Sequence, residues 1–170
     1  MFPQPQGIPT NDIELAVYEK GNGEPVVFLH GFPELAFSWR FQLPVVAAAG
    51  YRAIAPDLRG YGGSDKPVGV EHYTLQKLMG DITGLLDELE VEAAHIVAHD
   101  WGALLAWQLA LHSPDDVIIS PEQIEAMRPF VNDLKIEMLE NCGHWSQQEQ
   151  PDAVNTLLLH WLAERSPAGA

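Results

Sequence analysis

The chain has 170 residues, 46% hydrophobic and 19% charged, which suits one globular domain with a sizeable core. Nine basic against 24 acidic residues give a formal charge of -15, which opposes nucleic-acid phosphates and anionic membranes and leaves neutral or cationic small molecules as partners. A lone Cys142 excludes an intrachain disulfide, residues 1–7 lack the basic start and apolar run of a leader, and no stretch reaches the roughly 20 apolar residues of a membrane span, so a cytoplasmic location is expected.

Residues 13–19 alternate apolar and polar at period two, and Gly21-Asn22-Gly23 supplies tight-turn chemistry, which predicts a hairpin into a second strand at residues 25–29. That second strand, Pro25-Val26-Val27-Phe28-Leu29, is continuously apolar, as in an inner strand covered on both faces. Residues 51–55 predict a third strand, closed by Pro56 and a turn-rich stretch to Asp65. Residues 74–90 repeat Leu75, Leu78, Ile82, Leu85, Leu86 and Leu89 at helical spacing behind a Thr74 N-cap. Residues 94–98 predict a strand, and residues 103–111 a helix with only Gln108 polar, hence buried nearly all round. Beyond it, a short apolar run at 117–119, a helix at 121–130, a strand at 135–139 and a terminal helix at 153–163 complete an α/β fold: one domain, residues 1–170, with a mostly parallel sheet and flanking helices.

The strand at 94–98 leads into His99-Asp100-Trp101-Gly102, the sequence form of a strand–turn–helix elbow that holds a nucleophile at the top of a sheet. Taken alone, an Asp before a helix is most simply an N-cap. Two further motifs change that weighting. Upstream, His30-Gly31-Phe32-Pro33-Glu34 ends a buried strand, where the Phe32 N–H can aim at the elbow as a second oxyanion donor beside the Trp101 N–H. Downstream, Cys142-Gly143-His144-Trp145 lies between a strand and the last helix, which suits a loop-borne base.

Together with Ser38-Trp39-Arg40 and the run from Pro56 to Asp65, these motifs resemble the α/β-hydrolase superfamily and, within it, the epoxide hydrolases. The resemblance implies that Asp100 is the nucleophile, His144 the base, and the Phe32 and Trp101 N–H groups the oxyanion hole. His30, which is expected to hold its own loop through hydrogen bonds, and Trp145 are the residues expected at the substrate pocket. A carboxylate is ionised at neutral pH and attacks an epoxide carbon without a base, giving an ester that water then hydrolyses with help from His144. No metal or cofactor is needed, and His72, His95, His112 and His160 lack metal-ligand spacing.

The chain departs from the family near residues 113–120. The family carries a helical cap there, whose tyrosines hydrogen-bond the epoxide oxygen, but Leu111-His112-Ser113-Pro114-Asp115 leads to the next helix within a few residues. Two registers stay open: either residues 117–119 form the strand after the buried helix and the triad acid is lost, or Asp116 is that acid, which is preferred for its interval to His144. Tyr18, Tyr51, Tyr61 and Tyr73 all precede the elbow, so ring opening lacks the cap donors, and a positioned donor typically contributes about 10²- to 10⁴-fold. Slow or lost turnover is therefore expected. Two alternatives stand beside the epoxide reading: a haloalkane dehalogenase-like hydrolase, disfavoured because Phe32 stands where many dehalogenases carry Asn, and a non-catalytic, shortened fold that self-associates through surface uncovered by the missing cap.

Overall fold

The computed structural model describes residues 1–112, 133, 135 and 137–166. Five strands form one sheet: β1 (Gln6–Thr10), β2 (Ile13–Lys20), β3 (Pro25–Leu29), β4 (Arg52–Pro56) and β5 (His95–Ala98). Their spatial order is β1-β2-β4-β3-β5. Pairing is parallel among β4, β3 and β5, and antiparallel between β1 and β2 and between β2 and β4. The helices are α1 (Gln42–Ala48), α2 (Leu75–Glu88), α3 (Trp101–His112), α4 (Ser146–Glu149) and α5 (Pro151–Arg165), with short 3-10 turns at Ala36–Trp39 and Val70–His72.

Alternation along the inner strands divides the core in two. Val27, Leu29 and Ile54 face Ile82 and Leu85 of α2 and Leu105 and Leu109 of α3. Val26, Phe28, Ala53 and Ala55 face Leu43 and Val46 of α1 and Leu158 and Leu162 of α5. The continuous apolar reading of β3 thus reflects a strand covered on both faces. Helix α2 starts as its sequence predicts, with the Thr74 hydroxyl accepting from the Lys77 N–H at 3.4 Å.

The expected hairpin between residues 13–19 and 25–29 does not form, because β4 lies between β2 and β3. The true hairpin is β1–β2, turning at Asn11-Asp12 with Thr10 opposite Ile13. The glycines at 21 and 23 serve a different purpose: a Cβ at either would collide with the backbone carbonyls of Tyr51 and Gly50, so they let the β2–β3 connection pass close to the α1–β4 turn. Helix α3 buries Leu105, Ala106 and Leu109 but leaves Leu104 53% exposed, so it is not covered all round. Lys135 and residues 137–139, expected as a strand, join no ladder among the described residues. The expected elements at 117–119 and 121–130, and Asp116, lie outside the described residues. Among the described residues, no helix is long and apolar enough to cross a membrane.

Candidate active site

The elbow is built by backbone fit. β5 ends at Ala98, the His99 N–H donates to the Leu29 carbonyl at 3.1 Å, and Asp100 sits at φ +52 before α3 begins. A non-glycine residue in this left-handed region is uncommon and costs on the order of 1–3 kcal/mol. The turn must also come close to β3. A Cβ on Gly102 would lie 2.6 Å from the His30 carbonyl and nearer still to that of Leu29. A Cβ on Gly31 would lie 2.5 Å from the Asp100 Cβ and 2.7 Å from its Oδ1.

The loop after β3 supplies the facing donor. The Phe32 N–H donates to Asp100 Oδ1 at 2.8 Å, and the Trp101 N–H helps to hold the charge of the same carboxylate. Asp100 Oδ2 points the other way and lies 3.5 Å from His144 Nε2. Burial pushes the Asp100 carboxyl upward, but the two N–H groups and the nearby His144 and His99 rings outweigh it, so the net direction is down. Asp100 is therefore an anion with one oxygen seated on the Phe32 N–H and the other facing an imidazole. Its side chain is 26% exposed, that of His144 54%.

His30 does not line this site. It is fully buried, its Nε2 accepts from the Leu58 N–H at 3.0 Å, and its Nδ1 therefore carries the proton and donates to the Gly31 carbonyl at 2.9 Å. Both ring nitrogens are occupied, and burial pushes its pKa down, so His30 is a neutral strut between two loops. Tyr61 packs edge-on against it, 5.0 Å between ring centroids, and burial and the Asp100 charge both keep its phenol protonated. Trp145, the other residue expected in the pocket, is 42% exposed and meets the His144 ring at 5.4 Å.

The loop that carries His144 is held by side chains to which the sequence motifs assign no role. Glu149, at the end of α4, accepts from the Gly143 N–H at 2.7 Å and the Trp145 N–H at 3.1 Å, one on each carboxylate oxygen. Ser146-Gln147-Gln148-Glu149 has the Ser-x-x-Glu form of a helix-start box, but Trp145 is the N-cap and Ser146 makes no capping bond, so the pattern marks a helix start and not the grip of Glu149 on the loop. Glu34, buried behind the elbow, accepts from Gln148 Nε2 at 2.6 Å and pairs with His99 Nδ1 at 2.9 Å. His99 Nε2 in turn reaches the His144 carbonyl at 2.7 Å. No described trio of His, Cys, Asp or Glu could hold a metal ion. Asp116 lies outside the described residues, so its relation to His144 is not part of this geometry.

Residues 24–117, which contain the elbow and the Phe32 loop, match the family model described as alpha/beta hydrolase fold. The chain belongs to the alpha/beta hydrolase fold family. Within that family it is 52% identical over 176 residues to an epoxide hydrolase of Caballeronia sordidicola, a match covering 95% of this chain and 54% of that protein. It is 51% identical over 110 residues to epoxide hydrolase 2 of Siraitia grosvenorii, covering 65% of this chain and 35% of that one. A crystal structure of an epoxide hydrolase from Vigna radiata superimposes with a TM-score of 0.65 at 47% identity, over 67% of this chain and 37% of that chain. This alpha/beta hydrolase chain thus spans between about a third and about half of the length of these relatives.

Proposed function

We propose that this chain opens epoxides to diols through an ester on Asp100. The observation that carries the reading is the split carboxylate: Oδ1 held by the Phe32 N–H at 2.8 Å, Oδ2 left facing His144 Nε2 at 3.5 Å. In the first step Oδ2 attacks an epoxide carbon, the ring C–O bond breaks, and the released oxygen takes a proton from solvent. In the second, His144 Nε2 removes a proton from water as that water attacks the Asp100 carbonyl carbon. Oδ1 becomes the oxyanion in the place where the Phe32 N–H already holds it, and little reorganisation is needed as the charge develops. Collapse of the adduct expels the diol oxygen, which takes the proton from His144, and the Asp100 carboxylic acid left behind releases its proton to solvent, restoring the carboxylate.

In this reading Asp116 is the acid that fixes the His144 tautomer, the cap is absent, and turnover is slow because no tyrosine polarises the epoxide. The relatives' names support the substrate class, and the end of the family match at residue 117 supports a discontinuity near 113–120. Intact-mass analysis of His144→Ala protein incubated with an epoxide tests the proposal. The expected result is a covalent gain on the peptide carrying Asp100, because ester formation survives while its hydrolysis is lost. A folded protein that acquires no adduct overturns it.

The exposed ring of Trp101 and side chain of Leu104, 61% and 53% accessible, favour a second, compatible reading: copies of the chain associate through this apolar rim. Light scattering showing only monomer across a concentration series overturns that one.

A further inference from the structure

We infer that His99 is a doubly protonated bridge between Glu34 and the His144 backbone, and that it positions the base loop over the nucleophile. The inference rests on the proposed function for what the loop does, but not for the state of the bridge. His99 Nδ1 lies 2.9 Å from Glu34 Oε2 and its Nε2 2.7 Å from the His144 carbonyl oxygen. An ionised carboxylate and a carbonyl are both acceptors only, so each ring nitrogen must carry a proton for both contacts to be hydrogen bonds. The pair is sheltered, with the His99 side chain 13% exposed and the Glu34 side chain 6%.

Glu34 cannot turn away, because Gln148 Nε2 holds its other oxygen at 2.6 Å and Gln147 Nε2 lies 3.4 Å from it. The charged and titratable groups facing His99 are Glu34 from the loop after β3, Asp100 from the elbow, and the His144 ring at 4.6 Å between centroids. Burial opposes a charge on His99, but hydrogen bonds to Glu34 and the His144 carbonyl and the charges of Glu34 and Asp100 outweigh it, so its pKa is raised. Geometry and charge agree. Among the described residues, this is the contact that ties the His144 backbone to the elbow segment, and it places a positioning residue beside the nucleophile.

The test reads the ring itself. Histidine ring nitrogens are followed by ¹⁵N correlation spectroscopy through a pH titration, with the His99 signals identified by their loss in His99→Gln. The expected spectrum near neutral pH shows both His99 nitrogens protonated, and Glu34→Gln, which keeps the side-chain shape, moves the titration to lower pH. Hydrogen exchange at residues 143–145 should rise about tenfold in Glu34→Gln, the size of one charge-assisted hydrogen bond. With an epoxide, ester hydrolysis should fall as pH rises through the His99 titration, and that fall should move to lower pH in Glu34→Gln. A singly protonated His99 ring, which places the proton on Glu34, or unchanged exchange in Glu34→Gln overturns the inference. These first two readouts use no substrate: if they hold while Asp100 forms no adduct, the proposed function alone fails. An adduct formed beside a neutral His99 overturns this inference alone.

Discussion

Asp100 and His144 face each other across 3.5 Å, yet they are held by different means. Asp100 is fixed by main-chain geometry: a left-handed φ, Gly31 and Gly102 packed against β3 and the elbow, and the Phe32 N–H on its carboxylate. His144 is fixed by side chains, with Glu149 gripping the loop on both flanks and His99 reaching its carbonyl. In the proposed reaction the ester carbonyl of Asp100 must meet fixed donors, and it gains from a rigid seat. In that reaction His144 has only to reach a water beside the carbonyl, so a seat made of polar side chains suffices, and it should respond more readily to pH and to single substitutions.

The largest effect should come from breaking the rigid seat. Gly102→Ala drives a methyl group into the Leu29 and His30 carbonyls and should cost toward the upper end of about 1–3 kcal/mol, read as a lower urea midpoint at unchanged slope. An unchanged midpoint would show that the elbow tolerates what its geometry forbids. A smaller and purely local effect is expected from Glu149→Gln. The amide keeps one acceptor but sets an NH₂ group against the other N–H, at a cost of about 1 kcal/mol for this exposed pair. Hydrogen exchange should quicken at residues 143–145 and stay as it was at 100–104. Equal quickening at both would mean the two seats are one unit.

The smallest effect, and the one that separates the seats most cleanly, is with pH. The Asp100 pKa is lowered in the fold, so its contribution is present above the ordinary carboxylate value and is lost as pH falls through the folded value. The His99 pKa is raised, so its contribution is complete below the ordinary histidine value and is lost as pH rises through the folded value. The His144 loop should therefore loosen first on the alkaline side and the elbow on the acid side. Exchange measured across pH checks this, and loosening of both at the same end contradicts it.

This division also explains what could be read in the sequence. The elbow, the Phe32 loop and the strand β3 were legible because each depends on small residues or continuous apolar runs at fixed offsets, and such patterns encode backbone shape. The β1–β2 hairpin was hidden because Gln6–Thr10 is neither apolar nor alternating, and its partner strand was assigned to the wrong neighbour by glycines that serve a close approach instead. The helix Gln42–Ala48 carries a proline inside its first turn and gave no periodic signal. Glu34, Gln148 and Glu149 were passed over because polar residues near a motif look alike until the fold brings them within hydrogen-bond reach. The loop-holding role expected of His30 is what its buried ring performs, bonding two loops together, while its burial removes it from the pocket.

The central claim is that the ester carbonyl belongs to Asp100. Turnover of an epoxide in H₂¹⁸O, followed by mass analysis of the peptide containing Asp100, tests it most directly. Water that attacks the Asp100 carbonyl leaves its oxygen in the carboxylate, so the peptide should gain ¹⁸O as diol accumulates. Diol formed while that peptide keeps its original mass would mean that water attacks the epoxide itself, and Asp100 would not be the nucleophile.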